Sequence, residues 1–150
     1  MTSNEDGENY VIEFTDEMVE ALNNSFPDRA PVMVASASPE GMPDIAFKGS
    51  AMAWDREHIA FWERSLGTTF RNLQANPQVC LLYRNAEKRL AWKFFGEAKV
   101  YTEGDLREKV MARTVQGELD RDPDHKGAAV VIRIDKIVMG PQVLQERTAP

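Results

Sequence analysis

Six short runs of strand-forming residues, joined in places by turns too short to hold a helix, most constrain the fold of this chain. The turns "SPEG" at 38–41 and "DRE" at 55–57 are examples. Because parallel strands need a connection of about a dozen residues or more, such turns predict antiparallel pairing. The predicted strands are 31–37, 44–54, 58–63, 78–84, 90–101 and 128–139.

Helices are predicted to be few and peripheral. Thr15 is placed to cap a helix with an apolar stripe at Met18, Leu22 and Phe26, and Pro27 ends it. Further helices are predicted at 68–75 and 105–116. Because strands and helices do not alternate regularly, a Rossmann-type fold is disfavoured. Closure of the sheet into a small barrel removes exposed edges, so we predict a mainly β, six-stranded antiparallel barrel.

Composition limits the class of function. The 150 residues predict one domain over 10–150 with a disordered polar stretch at 1–9. The formal net charge of -6 argues against a nucleic-acid-binding protein, since that affinity comes mostly from neutralising phosphates. The sequence shows no membrane-spanning run and no secretory signal, and Cys80 is its only cysteine. A cytoplasmic protein with no membrane partner is therefore expected.

The stretch "FWERSLGTTFRNLQANP" has more polar groups between a strand and a helix than a connector needs. Gly67, Thr68 and Thr69 open the predicted helix, where free N–H groups and the helix dipole attract an anion. Arg64 and Arg71 are close enough in sequence to supply positive charge. On the residues alone, an ordinary N-cap is the alternative, because threonine is common there.

Two lysines on predicted strands are further candidates. Lys48 interrupts the apolar strand "FKGSA", and Lys93 lies among the aromatic residues of "AWKFFG". A strand lysine can simply point to solvent, and most aromatic stripes are core. A cation between flat side chains also suits a planar ligand edged by hydrogen-bond acceptors.

No metal site or nucleophilic residue is predicted. Asp120, Asp122 and Asp124 have the spacing that opens a calcium loop, but the glycine and glutamate that such a loop needs are missing. His58 and His125, the only histidines, have no zinc-ligand neighbours at the usual spacing. The catalytic residues therefore stay unassigned.

Three stretches, in this order, resemble the pyridoxamine 5′-phosphate oxidase-like FMN-binding split-barrel family. They are "PVMVASASPEGMPDIAFKG", "FWERSLGTTFRNLQANPQVCLLYR" and "AWKFFGEAKVY", which together cover roughly residues 30 to 101. The pattern "NLxxNPxVxLLY", here Asn72 to Tyr83, is the most specific part. The resemblance implies a split barrel that forms a homodimer and binds FMN in two clefts at the subunit interface.

The resemblance also implies which residues contact the flavin. These are Phe47, Lys48 and Gly49 beside the ring and ribityl chain; Trp62, Glu63, Arg64 and Ser65 along the ring; Gly67, Thr68 and Thr69 at the phosphate; and Trp92 and Lys93 from the second subunit. The oxidases that make pyridoxal phosphate carry an Arg-Lys pair at the places of Thr68 and Thr69. Since hydroxyls hold phosphate less strongly than cations, moderate FMN affinity is expected.

The C-terminal segment bears on the substrate. "VMGPQVLQERTAP" does not resemble the segment that grips the substrate phosphate in those oxidases, which argues against vitamin B6 oxidation. We expect an FMN oxidoreductase that transfers hydride through the flavin, with a small-molecule substrate or a nicotinamide donor. Lys93 or Arg64 is expected to stabilise the reduced ring. The alternatives are a non-catalytic flavin-binding or sensor protein and a deazaflavin-dependent reductase; haem is disfavoured because no histidine ligand is apparent.

Overall fold

A curled antiparallel sheet forms most of the chain. The computed structural model describes residues 11–148, so the predicted disordered stretch at 1–9 lies outside the described residues. In chain order the elements are α1 (Asp16–Asn23), β1 (Val32–Ala37), β2 (Pro43–Lys48), β3 (Met52–Ala53), β4 (His58–Glu63), α2 (Thr68–Ala75), β5 (Gln78–Asn85), β6 (Leu90–Tyr101), α3 (Asp105–Arg113), α4 (Gln116–Leu119), β7 (Ala128–Met139) and β8 (Gln142–Glu146).

The strands form one sheet in the order β2-β1-β5-β6-β7-β4-β3, and β8 also pairs with β7. Every pairing is antiparallel. The long strand β7 pairs with β6 on one edge and with both β4 and β8 on the other. The prediction of a mainly β, antiparallel split barrel is confirmed.

Two details of the strands differ from the sequence-based expectation. The predicted strand 44–54 is divided into β2 and β3, because the chain turns at Gly49 and Ser50 and the Ala51 N–H donates to the Lys48 carbonyl. Strand β8 was not predicted, since its sequence "QVLQE" lacks the apolar alternation that marks a half-buried strand. In the part of the chain that the structure describes, the six expected strands thus become eight.

The main core lies inside the curl of the sheet. Burial alternates along β1 and β5, so every second side chain points inward. The largest fully buried apolar side chains are Phe14, Phe61, Phe94, Leu22, Ile59, Leu81, Ile132, Ile134 and Ile137. Each contributes about 1.5–3 kcal/mol by leaving water, so this cluster dominates the stability of the fold.

The helices cover the open sides of the sheet. Helix α1 places Met18 and Leu22 in the main core, and α2 contributes Leu73. Helix α3 covers the outer side of β4 and β7, where its Val110 packs in a second, smaller cluster with Trp62. No helix within residues 11–148 is both long enough and apolar enough to span a membrane.

Gly96 lies where the register between β6 and β7 shifts. A Cβ at this position would overlap the carbonyl oxygen of Arg133 on the neighbouring strand. We expect Gly96→Ala to lower the free energy of unfolding by about 2–3 kcal/mol, because the two backbones would have to separate. Urea unfolding measures this change.

Gly67→Ala is the matched control for that experiment. Its added Cβ would meet nothing closer than the Ser65 hydroxyl at 3.8 Å. The expected loss is no more than about 1 kcal/mol. Equal losses for the two variants would show that the close approach at Gly96 does not matter.

Candidate functional site

A buried ion pair joins two strands from opposite parts of the sheet. Lys48, at the end of β2, donates from Nζ to Glu63 Oε1 at the end of β4 over 2.6 Å. In the sheet order β1, β5, β6 and β7 lie between these strands, so the ion pair spans the split of the barrel. The side chains are only 11% and 0% exposed.

The second oxygen of Glu63 organises the loop that follows β4. Oε2 accepts hydrogen bonds from the Ser65 backbone N–H at 3.1 Å, from the Ser65 hydroxyl at 2.9 Å and from the Leu66 N–H at 3.2 Å. Leu66 has the left-handed φ of 50°, an uncommon backbone conformation for leucine that these bonds hold. Burial acts to raise the pKa of Glu63, but the bonds from Lys48, Ser65 and Leu66 outweigh it and the pKa is lowered.

A cleft of about 540 Å³ opens beside this ion pair. Its walls come from four segments that are far apart in sequence: the loop after α1, the β2–β3 turn, the end of β4, and α4 with the residues after it. The polar and aromatic side chains that distinguish it are Phe26, Arg29, Phe47, Arg64, Glu118 and Arg121. The cleft therefore combines aromatic surface with more cationic than anionic groups.

Close packing fixes the α4 wall of the cleft. A Cβ on Gly49 would lie 2.5 Å from Glu118 Oε1, and a Cβ on Gly117 would overlap the Phe26 ring. Glycine at 117 therefore lets α4 pack against the Phe26 ring, and glycine at 49 leaves room for the Glu118 carboxylate beside the β2–β3 turn. Glu118 is thereby placed beside Arg64, with 3.7 Å between its Oε2 and the Arg64 Nε.

Trp62 lies beneath the cleft and is held from two sides. Its indole N–H donates to Asp122 Oδ2 at 2.9 Å, and the Arg107 guanidinium lies 5.0 Å from its ring centroid. Asp122 also accepts from the backbone N–H groups of Lys126 and Gly127. Burial tends to raise the pKa of Asp122, but these donors lower it. Asp122, which the calcium-loop spacing singled out, therefore has a structural task in fixing Trp62.

The start of α2 forms a second polar feature close to the cleft. Gly67 is the N-cap and no side chain caps this end, so neither threonine acts as the predicted ordinary N-cap. The Arg71 Nη2 donates to the Thr68 hydroxyl at 3.3 Å, while the Thr69 hydroxyl donates to Asp44 at 3.4 Å. The uncapped backbone N–H groups and Arg71 favour the binding of an anion at this helix start. The negative charge of the nearby Asp44 carboxylate disfavours it.

The structure brings together most of the residues that the sequence analysis selected. Six of them line the cleft: Phe47, Lys48, Gly49, Trp62, Arg64 and Ser65. Glu63 lies buried next to them, and Gly67, Thr68 and Thr69 are at the start of α2 rather than in the cleft lining. That these residues contact a flavin stays a prediction.

The side chain of Trp92 does not lie where the expected contact with a flavin from the second subunit would need it. Its side chain is 3% exposed and stacks on Tyr83 at 5.5 Å inside the core, so it cannot reach a flavin in a partner subunit. The reason is the strand alternation of β6, which turns Trp92 inward and Lys93 outward. Lys93 is exposed on the outer face of the sheet, with Nζ 6.0 Å from the Phe95 ring centroid.

Sequence reasoning missed the walls that come from distant segments. Arg29, Glu118 and Arg121 line the cleft, yet they lie in loops or a short helix with no motif of their own. Phe26 was expected on the apolar stripe of α1, but that helix ends at Asn23 and the ring faces α4. Only tertiary packing places these residues together.

A family comparison identifies the relatives of this chain. The family model described as pyridoxamine 5′-phosphate oxidase matches residues 14–138. The chain belongs to this family. The search of curated proteins gave no match to it.

Solved structures of the same fold agree with this assignment. HupZ of Group A Streptococcus is 27% identical, with a TM-score of 0.69 over 83% of this chain and 91% of that chain. A Lactobacillus delbrueckii protein described as a candidate pyridoxamine 5′-phosphate oxidase is 22% identical, with a TM-score of 0.70 over 86% and 96%. An FMN-binding protein from Syntrophomonas wolfei is 14% identical, with a TM-score of 0.64 over 81% and 85%. At these identities, the last two show the fold alone.

The Lys48–Glu63 ion pair makes stability depend on pH. We expect Glu63→Gln to cost about 3–5 kcal/mol at pH 7, because it leaves the Lys48 charge buried without its partner. Since the folded-state pKa of Glu63 is lowered, the wild-type contribution is complete above its unfolded-state pKa of about 4.3 and is lost as pH falls through the folded-state pKa. The difference in the free energy of unfolding between wild type and Glu63→Gln should therefore be smaller at pH 3 than at pH 7, as measured by urea unfolding.

The double variant Lys48→Met with Glu63→Gln is the control for this effect. It removes both charges, so we expect it to recover part of the stability that Glu63→Gln loses. Unfolding of Glu63→Gln at the wild-type urea midpoint at pH 7 would contradict the structural importance of the ion pair.

Proposed function

We propose that this protein binds FMN in the cleft and at the adjacent start of α2, and that it is an oxidoreductase that transfers hydride through the flavin. The observation that carries the proposal is the Lys48–Glu63 ion pair, which fixes the ends of β2 and β4 beside the cleft. A short loop after Glu63 connects this pair to the start of α2, where no side chain caps the backbone N–H groups. Bound flavin would supply the redox chemistry, and the protein would supply binding, orientation and exclusion of water. The substrate and the electron donor are unidentified.

The residues at the start of α2 fit a phosphate group. Backbone N–H groups there have no side-chain cap, and Arg71 and Thr68 are already hydrogen-bonded to each other. Asp44, which accepts from Thr69, weakens the attraction, in agreement with an expectation of moderate affinity. Phosphate binding at this turn would thus rely on Arg71 in place of the family's Arg-Lys pair.

Arg64 is the better candidate for a cation beside the flavin ring. Lys48 offers little positive charge to a ligand in the cleft, because Glu63 neutralises it in an ion pair at 2.6 Å. Lys93 lies on the outer face of the sheet, so it would reach a flavin only across a dimer interface. Arg64 lines the cleft and is 40% exposed, which leaves it free to approach a ligand that becomes negative on reduction.

A flavin-binding protein without turnover is the second candidate. Both carboxylates at the cleft, Glu63 and Glu118, face cations, so neither offers an uncommitted proton donor to a substrate. Oxidation of reduced nicotinamide with added FMN supports the enzyme, whereas tight FMN binding without turnover supports the binder. Comparative titration with a deazaflavin tests the third alternative.

FMN binding can be measured directly. We expect the purified protein to take up FMN, with absorbance bands near about 370 and 450 nm. Arg71→Gln should weaken FMN binding about tenfold and leave riboflavin binding unchanged, because only FMN carries the phosphate. The control is Arg89→Gln, which removes one charge from the β5–β6 turn, away from the cleft. Colourless protein that also fails to take up FMN would contradict the proposal.

We also propose that the protein is a homodimer whose subunits meet on the outer face of β2, β1 and β5. Ile45 and Phe47 are 69% and 68% exposed on this face, although both are large and apolar. Their strand partners Ala35 and Met33 continue the apolar surface across β1. Such surfaces mark association sites. Because Phe47 also lines the cleft, a second copy on this face would border the cleft.

A single charge should disrupt such a dimer. We expect Ile45→Glu to shift the protein toward monomer in light scattering after gel filtration, because the carboxylate would have to be buried without a partner. Ala112→Glu adds the same charge at an exposed position of α3, outside this face, and should leave the mass unchanged. A wild-type protein that is monomeric at all concentrations would overturn the dimer proposal.

A further inference from the structure

The charges of the cleft are divided between two regions. At the split of the barrel, Lys48 and Glu63 form a 2.6 Å pair that leaves no net charge. Toward the solvent, the cleft is lined by Arg29, Arg64 and Arg121, which come from three separate segments of the chain. We call these three residues the arginine rim. The positive charge available to a ligand therefore lies at the rim and not at Lys48.

The arginines of the rim have few competing partners. Within residues 11–148, the side chains of Arg29 and Arg121 have neither a hydrogen bond nor an ion pair. Arg64 has one charged contact, to Glu118 at 3.7 Å, which is too long for a good hydrogen bond. By contrast, Arg107 and Arg113 each donate two or more hydrogen bonds to backbone carbonyls. The N–H donors of the rim arginines are thus largely free, whereas Arg107 and Arg113 use theirs to hold the backbone.

Aromatic surface lies next to the rim. Phe26 and Phe47 both line the cleft and are more exposed than large apolar side chains normally are. Guanidinium groups bind phosphate and carboxylate with paired donors, and aromatic faces bind flat apolar groups. The combination suits a small molecule with a flat body and an anionic group.

We propose that the arginine rim is an anion subsite of the cleft, which takes the phosphate or carboxylate of a small-molecule ligand, and that Glu118 sets its affinity. An incoming anion competes with Glu118 for Arg64, because the Glu118 carboxylate lies 3.7 Å from the Arg64 guanidinium. This subsite is distinct from the start of α2, where the proposed function places the FMN phosphate. Anion binding at the subsite does not depend on flavin binding. The inference that its ligand has a flat body does rest on the proposed function.

Inorganic pyrophosphate is the probe that tests the subsite. In calorimetric titration of the full chain at low salt, we expect binding that weakens as salt is added. Arg29→Gln, Arg64→Gln and Arg121→Gln should each weaken it about tenfold, and Arg89→Gln, with the same loss of charge, should not. Glu118→Gln should tighten it about two- to fivefold, whereas Glu87→Gln in the exposed β5–β6 turn should have no effect.

Three results would overturn the subsite. They are no pyrophosphate binding at low salt, equal weakening by Arg89→Gln and the rim variants, or loss of binding in Arg71→Gln with the rim variants unaffected. The last result would place the anion at α2. This titration contains neither riboflavin nor FMN. Its result therefore tests the subsite even if the protein fails to bind flavin.

Repeating the titration with saturating flavin identifies the source of the anion. If FMN blocks pyrophosphate and riboflavin does not, the rim takes the phosphate of the flavin itself, and the proposed position of that phosphate at the start of α2 is wrong. If pyrophosphate still binds beside FMN, the rim serves a second, anionic ligand. Both results support the subsite and separate its two uses.

Discussion

The ion pair between Lys48 and Glu63 is the interaction on which the candidate site depends. It joins β2 to β4 across the split of the barrel, where no backbone ladder connects them. A buried ion pair contributes to stability only when further hydrogen bonds satisfy its remaining polar atoms. Ser65 and Leu66 meet that condition for Glu63, and in doing so they set the course of the chain into α2. One carboxylate therefore fixes the ends of both strands and the first residues of the loop that leads to α2.

The same ion pair changes the chemistry of the cleft. A lysine at the end of β2 would ordinarily be an anion contact, but Glu63 compensates its charge within the protein. The cationic groups that remain accessible come from the rim and from Arg71. Because interactions between charges strengthen away from water, the position of the uncompensated positive charge, at the rim rather than at Lys48, decides where an anionic group can bind.

The fold could be predicted largely because its signals are local. Apolar alternation and short turns located all six expected strands, and Pro27 and Asn76-Pro77 marked where helices could not continue. Strand β8 was missed because polar residues dominate it and its pairing with β7 supplies the stabilisation. The division of the 44–54 run was missed because the hydrogen bond between the Ser50 hydroxyl and Trp62, which secures the turn, joins distant residues.

The sequence by itself determined the fold class, through the periodicity of its strands, and indicated the family, through the resemblance of motifs within single stretches. It also located two of the four segments that line the cleft, the end of β2 with its turn and the end of β4. Only the tertiary structure decided the direction of each side chain. It turned Lys48 inward to Glu63, placed Trp92 in the core and Lys93 outside, and added Arg29, Glu118 and Arg121 from remote segments. These outcomes depend on strand register and on packing between residues far apart in the chain, which no local pattern records.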